Sequence, residues 1–149
     1  MSAGALRPRF GDYPVGAAIP PLVRTVTREQ IAAYAEASGD RNPIHLDEEF
    51  ARSVGLDGII AHGLLSMAFL GTMLTEWLGD PAALRSLSVR FSGVVRPGDT
   101  LTCTGEVTAA EVVEGSGGRV GRLRLALTGV NQRGERVLSR GQAVVELPL

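Results

Sequence analysis

The stretch Ala61-His62-Gly63-Leu64-Leu65-Ser66-Met67-Ala68-Phe69-Leu70-Gly71-Thr72-Met73-Leu74-Thr75-Glu76-Trp77-Leu78 decides the fold. After His62 its only acid or base is Glu76. Leu64, Leu65, Met67, Phe69, Leu70, Met73, Leu74, Trp77 and Leu78 cover every face of a helix. A helix that is apolar all round belongs in the middle of something. A membrane is the rival, but spanning one takes about 20 predominantly apolar residues. Gly63, Ser66, Gly71, Thr72, Thr75 and Glu76 interrupt a segment already too short for that. The reading is a helix enclosed by the rest of a soluble domain.

The downstream sequence supplies the enclosure. Leu84–Val95 is rich in Leu, Val and Phe, and Pro97-Gly98-Asp99 turns it back. Thr100–Val113 reads as a long strand, with Leu101, Cys103 and Val107 on one side, and Gly115-Ser116-Gly117-Gly118 ends it. Val120–Val130 alternates Leu123, Leu125 and Leu127 with Arg122, Arg124 and Ala126, the pattern of a half-buried antiparallel strand. Asn131–Gly134 then turns into a last strand, Val137–Leu147. One buried helix and four long strands joined by tight turns predict an α+β fold, an antiparallel sheet curled round the helix. Such a sheet has two edges, and long apolar edges invite pairing with a second copy.

Upstream, Leu22–Val26 is a short strand candidate behind Pro20-Pro21. Thr27 and Gln30 have capping-box spacing, with Ile31, Tyr34 and Ala35 following at helical intervals and Gly39 as a stop. Asp47 can cap a short helix through Phe50 and Ala51, ended at Gly55. Residues 1–10 lack apolar periodicity and read as a flexible tail, leaving 11–149 as one domain, in keeping with the length.

Composition narrows function mainly by exclusion. Fifteen basic and 16 acidic side chains give a formal net charge of -1, so there is no electrostatic case for nucleic acid or an anionic membrane surface. A single cysteine, Cys103, rules out an intramolecular disulfide, and His45 and His62 are too few for a structural zinc site. No metal and no cofactor is expected. The first ten residues have no apolar core of the secretory kind, which makes a cytoplasmic protein the expectation.

Chemistry concentrates in Ser38-Gly39-Asp40-Arg41-Asn42-Pro43-Ile44-His45. Pro43 turns Asn42 away from helical conformations and has no N–H to give. Gly39 permits a bend just before the carboxylate. A turning loop can therefore bring Asp40 and His45 to one cavity. A carboxyl near pKa ~3.9 beside an imidazole near ~6.5 is suited to moving protons at neutral pH. On these eight residues alone, turn capping by Asp40 and a helix start at His45 is the competing account.

The run Tyr34-Ala35-Glu36-Ala37-Ser38-Gly39-Asp40-Arg41-Asn42-Pro43-Ile44-His45-Leu46-Asp47 closely resembles the hydratase motif of MaoC-like, (R)-specific enoyl-thioester hydratases and dehydratases. Ile60-Ala61-His62-Gly63-Leu64-Leu65-Ser66-Met67 resembles that family's second signature, and Phe91–Leu101 its strand-turn-strand. The likeness extends from about Val15 to Val145, and the pair of motifs is more specific than either alone. It implies a single hot-dog domain, which agrees with the sheet-round-helix reading. Among family members, the catalytic subunit of mycobacterial (3R)-hydroxyacyl carrier-protein dehydratases is similar, and it pairs with a non-catalytic hot-dog chain.

The resemblance implies reversible addition of water across a trans-2-enoyl thioester of coenzyme A or acyl carrier protein. Asp40 and His45 would hold one water and exchange its protons, His45 as base and Asp40 as proton donor to Cα. Asn42 matches the motif, and its amide can bond the loop or orient His45. The Gly63 N–H at the helix start, where backbone donors are unpaired and the macrodipole is positive, is assigned to the oxyanion hole, with helix-start packing as its simpler explanation. Ser66, one turn on, either faces the cavity and bonds Asp40 or the substrate, or bonds its own helix. His62 reads as a capping or packing residue. Met67, Phe69, Met73 and Trp77 are core by default and an acyl tunnel otherwise. Arg41, Arg52 and Arg96 are candidates for a phosphate or an acidic carrier. Two other functions stay open: thioester hydrolysis, which the hot-dog fold also serves, and a non-enzymatic assembly subunit. A homodimer or a heterodimer with a second hot-dog chain is expected.

Overall fold

The computed structural model describes residues 6–149. Its elements are β1 (Leu22–Thr25), α1 (Arg28–Ser38), α2 (Glu48–Ser53), α3 (Gly63–Leu78), β2 (Leu84–Phe91), β3 (Thr100–Gly115), β4 (Gly118–Val130) and β5 (Arg136–Leu147), with 3-10 turns at Phe10–Asp12, Pro43–His45 and Pro81–Ala83. The five strands form one antiparallel sheet in the order β1-β3-β4-β5-β2. β1 and β2 are its edges, and α3 packs across β1, β2 and β3. This is the hot-dog arrangement, an α+β fold.

Each element has a local cause. Thr27 caps α1 by accepting from the Gln30 N–H at 3.1 Å. The reciprocal half of the box is missing, because the Gln30 Oε1 is buried without a partner. Gly39 ends α1 in the left-handed region at φ 78, where a side chain would be strained. Asp47 caps α2 by accepting from the Phe50 N–H at 3.0 Å. The strands alternate as their sequence demands: Leu101, Cys103 and Val107 of β3 and Leu123, Leu125 and Leu127 of β4 are all buried. A bulge after Val107 then breaks the alternation of β3.

α3 buries Leu65, Ser66, Phe69, Leu70, Met73, Leu74 and Leu78 against the sheet. Each aliphatic side chain so removed from water contributes about 1.5–3 kcal/mol. The expectation that the helix is enclosed on every side is corrected here. The buried set forms one broad face, while Leu64 is 60% exposed and Ala68 is exposed beside it. One sheet can cover only one side of a helix. No helix is long and apolar enough to cross a membrane.

One further departure positions the site. The strand expected over 84–95 leaves the sheet at Phe91. Ser92 and Gly93 both donate to the Val137 carbonyl, and Val95 then accepts from the Ala61 N–H at 2.7 Å. The chain is thereby drawn from the sheet edge to the start of α3. At the N-terminus, residues 1–5 of the expected tail lie outside the described residues. Pro8 is buried, and the Phe10 N–H donates to Pro148 at 2.9 Å.

Candidate active site

The loop between α1 and α2 is held in shape by its own backbone. The Asp40 N–H donates to Ser38 Oγ at 3.1 Å, and the Asn42 N–H to Asp40 Oδ1 at 3.2 Å. Asn42 Oδ1 accepts from the Ile44 N–H at 3.1 Å, capping the turn in which Pro43 occupies the first helical position. Asn42 therefore serves the loop and does not reach the His45 ring. Its Asx-type bonding is what allows a sharp turn between the two candidate proton carriers.

His45, only 7% exposed, points inward. Its Nδ1 lies 2.7 Å from the Ile60 carbonyl oxygen. A carbonyl can only accept, so Nδ1 carries the hydrogen, and in the neutral ring Nε2 keeps its lone pair. That Nε2 faces Asp40 Oδ2 at 3.9 Å, beyond a direct hydrogen bond. Two atoms at this spacing can both bond a single oxygen lying to one side at about 2.8 Å. The Asp40 side chain is 54% exposed and opens this corner to solvent.

Residues 59–61 form the wall behind His45. The Ile59 N–H donates to Glu48 Oε2 at 3.1 Å, the Ile60 N–H to the Ile44 carbonyl at 3.1 Å, and the Ala61 N–H to Val95. Glu48 in turn meets Arg28 and Arg52. Bonding to Arg28 outweighs the carboxyl's desolvation and holds it below its usual range. The carbonyl that orients His45 is thus clamped to α2, to the loop and to the end of β2.

The second half of the site is the start of α3. The Gly63 N–H lies in the first turn, where no intrahelical acceptor exists, and it makes no backbone bond outside the helix among the described residues. A Cβ at position 63 would come within 3.2 Å of the Phe91 ring. A larger residue there would press on Phe91, and the N–H of the helix start is a separate asset. Ser66 is buried, and its N–H donates to the His62 carbonyl at 3.3 Å. The carboxylate partners of this corner are the Asn42 N–H and His45, with no bond from Ser66 to Asp40.

His62 is the residue that sequence reasoning underrated. It precedes α3 at the N-cap position but makes no capping bond. Its ring stacks on His45 with centroids 3.8 Å apart and planes 25° from parallel, and its Nε2 lies 2.9 Å from the Asp40 carbonyl oxygen. The contact spans 22 residues, and nothing local to Ala61-His62-Gly63 signals it. Asp40, His45 and His62 place metal-ligand-type atoms within 4.8 Å of one another. Near-parallel rings aim their in-plane lone pairs side by side instead of at one point, which suits stacking better than shared coordination.

The arginines considered for an anionic ligand are occupied. Arg41 makes a two-pronged contact with Glu36 at 3.1 and 2.9 Å. Arg96 bonds Asp57 at 2.8 Å, and Arg52 lies 3.8 Å from Glu48. Phe69 and Met73 are buried in the core. Cys103 is buried there too, and burial pushes its thiol up to about 11.

With this geometry established, comparison with known proteins is informative. The family model described as MaoC like domain matches residues 15–127. Over 128 residues, 85% of this chain and 76% of the relative, the chain is 34% identical to the 3-hydroxybutyryl-CoA dehydratase of Methylorubrum extorquens. It is 38% identical to the (R)-specific enoyl-CoA hydratase of Rhodospirillum rubrum over 88 residues, 58% of this chain and 61% of that protein. The unliganded R-hydratase of Pseudomonas aeruginosa superimposes with a TM-score of 0.81 at 28% identity, covering 94% of this chain and 85% of that one. The match spans less than two thirds of the Rhodospirillum protein's own length. On the extent of the family match and the agreement in fold, this chain belongs to the MaoC-like domain family.

Proposed function

We propose that this chain catalyses reversible hydration of trans-2-enoyl thioesters to (3R)-3-hydroxyacyl thioesters, with Asp40 and His45 as the proton carriers. The observation that carries the reading is the His45 Nε2 lone pair facing Asp40 Oδ2 at 3.9 Å, fixed there by the Nδ1 bond to Ile60. In the hydration direction a water oxygen bonds to Cβ as its proton passes to His45 Nε2. The electron pair of the Cα–Cβ double bond moves toward the thioester, and its oxygen gains charge. The imidazolium passes that proton to the Asp40 carboxylate, which delivers it to Cα and so returns both groups to their starting forms. Dehydration runs the same steps backwards. In this proposal the Gly63 N–H, at the positive end of α3, meets the thioester oxygen.

A second hot-dog chain completes the assembly in this proposal. Leu64 at the start of α3, and Phe91 and Val94 at or just before the segment that meets it, are 60, 50 and 43% exposed. β2 leaves one flank of the sheet without a strand partner. Covering this side would exclude water from the developing charge. A homodimer and a heterodimer are distinguished by mass in solution with the chain alone.

The test follows loss of enoyl absorbance with enoyl-CoA and enoyl carrier-protein substrates, using wild type, Asp40→Asn and His45→Gln. Loss of about 10²–10⁴-fold in kcat for each folded variant is expected. Wild-type rates in either variant overturn the assignment. Thiol release from a saturated acyl-CoA without hydration identifies a hydrolase instead.

A further inference from the structure

We infer that His62 is a positioning residue for this chemistry: it pins the backbone that carries Asp40 and supplies the surface against which the His45 ring is seated. The inference rests on Asp40 and His45 being the proton carriers.

The atoms leave little choice about the form of His62. Its Nε2 is 2.9 Å from the Asp40 carbonyl oxygen, an acceptor only, so Nε2 must carry the hydrogen. Its Nδ1 is buried with no partner among the described residues, so that nitrogen is the bare one. The ring is 2% exposed. It packs against two rings, with the centroid of His45 at 3.8 Å and that of Tyr34 of α1 at 4.8 Å and 60°. A side chain so confined transmits the position of the α3 start to the α1–α2 loop.

The consequence is a loop fixed at both proton-carrying residues by the same wall. His45 is held through its Nδ1 to Ile60. Asp40 has an exposed carboxylate and is held through its main chain to His62, two residues further along that wall. The 3.9 Å gap between Asp40 Oδ2 and His45 Nε2 is therefore set by neighbouring residues of one rigid segment. An error of about 1 Å in such a gap can cost about 10²-fold in rate.

Two substitutions separate the hydrogen bond from the packing. Gln can place its Nε2 where the histidine has its own, keeping the donor to Asp40, whereas Phe keeps a stacking surface and removes the donor. His62→Phe is expected to lower kcat about 10²-fold with KM within twofold of wild type, and His62→Gln to recover kcat to within about threefold. Wild-type protein labelled with nitrogen-15 should show His62 as the tautomer protonated at Nε2 and bare at Nδ1 at neutral pH. This measurement needs no variant to fold. A His62 protonated at Nδ1, or folded Phe and Gln variants both at wild-type kcat, overturns the inference. If Asp40→Asn and His45→Gln are themselves without effect, it is the underlying reading that has failed.

Discussion

Asp40 and Asp99 each follow a glycine in a tight bend, and they have opposite fates. Gly39 precedes Asp40 at φ 78, and Gly98 precedes Asp99 at φ 91. The Asp99 side chain is 5% exposed and fully engaged: it accepts from the Arg96 N–H at 3.0 Å, from Gln132 at 2.9 Å and from Arg133 at 3.1 and 3.3 Å. Asp40 is half in water, with one backbone N–H on Oδ1 and an imidazole 3.9 Å from Oδ2. A carboxylate whose lone pairs are all taken ties the 96–99 turn to the 131–134 turn. One left partly open, facing a histidine lone pair, is free to handle a proton. The difference lies in what surrounds a shared local motif.

The largest effect should come from disabling the open carboxylate. Asp40→Asn should cost about 10²–10⁴ in kcat while the melting temperature stays close to wild type, because its few bonds lie in an exposed loop. A large fall in stability there would erase the distinction. Asp99→Asn should do the reverse, keeping kcat per folded molecule within about twofold while lowering stability by about 2 kcal/mol. That is less than the 3–5 kcal/mol of a fully buried pair, since Arg133 is nearly half exposed. At this chain length the loss corresponds to a fall of roughly 4–8 °C in melting temperature.

Acid should sharpen the same contrast. Burial pushes Asp99 upward, but Arg133, the Arg96 N–H and Gln132 outweigh it and hold the carboxyl below its usual value. A lowered native pKa means that the unfolded state binds the proton first as pH falls. The contribution of Asp99 is then complete above about pH 4 and lost as pH drops through the native value. Urea titrations at pH 7 and pH 3 should show a wild-type loss that Asp99→Asn lacks in part. The smallest effect concerns Cys103, four residues along from Asp99 on β3. Its thiol, at about 11, should resist alkylation in folded protein, and Asp99→Asn should label modestly faster if that corner opens. Equal rates would show that the corner stays shut without its carboxylate.

Patterns that repeat within a few residues were legible in the chain. Thr27, Gly39 and Asp47 announce their helices, and the Leu123-Leu125-Leu127 alternation announces β4. Asp40, Asn42 and His45 lie within six residues, and the loop carrying them is closed by bonds over two positions. What escaped notice is held together across distance. Ile60 reaches His45 over 15 residues, His62 reaches Asp40 over 22, and Arg133 reaches Asp99 over 34. Asp99 was read as a turn residue because its turn is local and its partners are not. Hydropathy puts Leu64 inside because it counts apolar residues without saying how many sheets are present to cover them.

The pairing of β1 has a consequence for how the molecule comes into being. Thr25 lies opposite Thr100 and Leu22 opposite Cys103, so the entire site loop, α2, α3 and β2 are enclosed between two neighbouring strands. Contacts so distant in sequence slow folding, because the loop they close must be ordered before the pairing rewards it. On a ribosome, the residues proposed to carry the chemistry emerge long before β3 does, with no partner for β1 to pair with. Recovery of the β1–β3 edge should therefore trail formation of the α3 helix, and a nascent chain halted before Thr100 would hold every proposed catalytic side chain without the sheet that frames them.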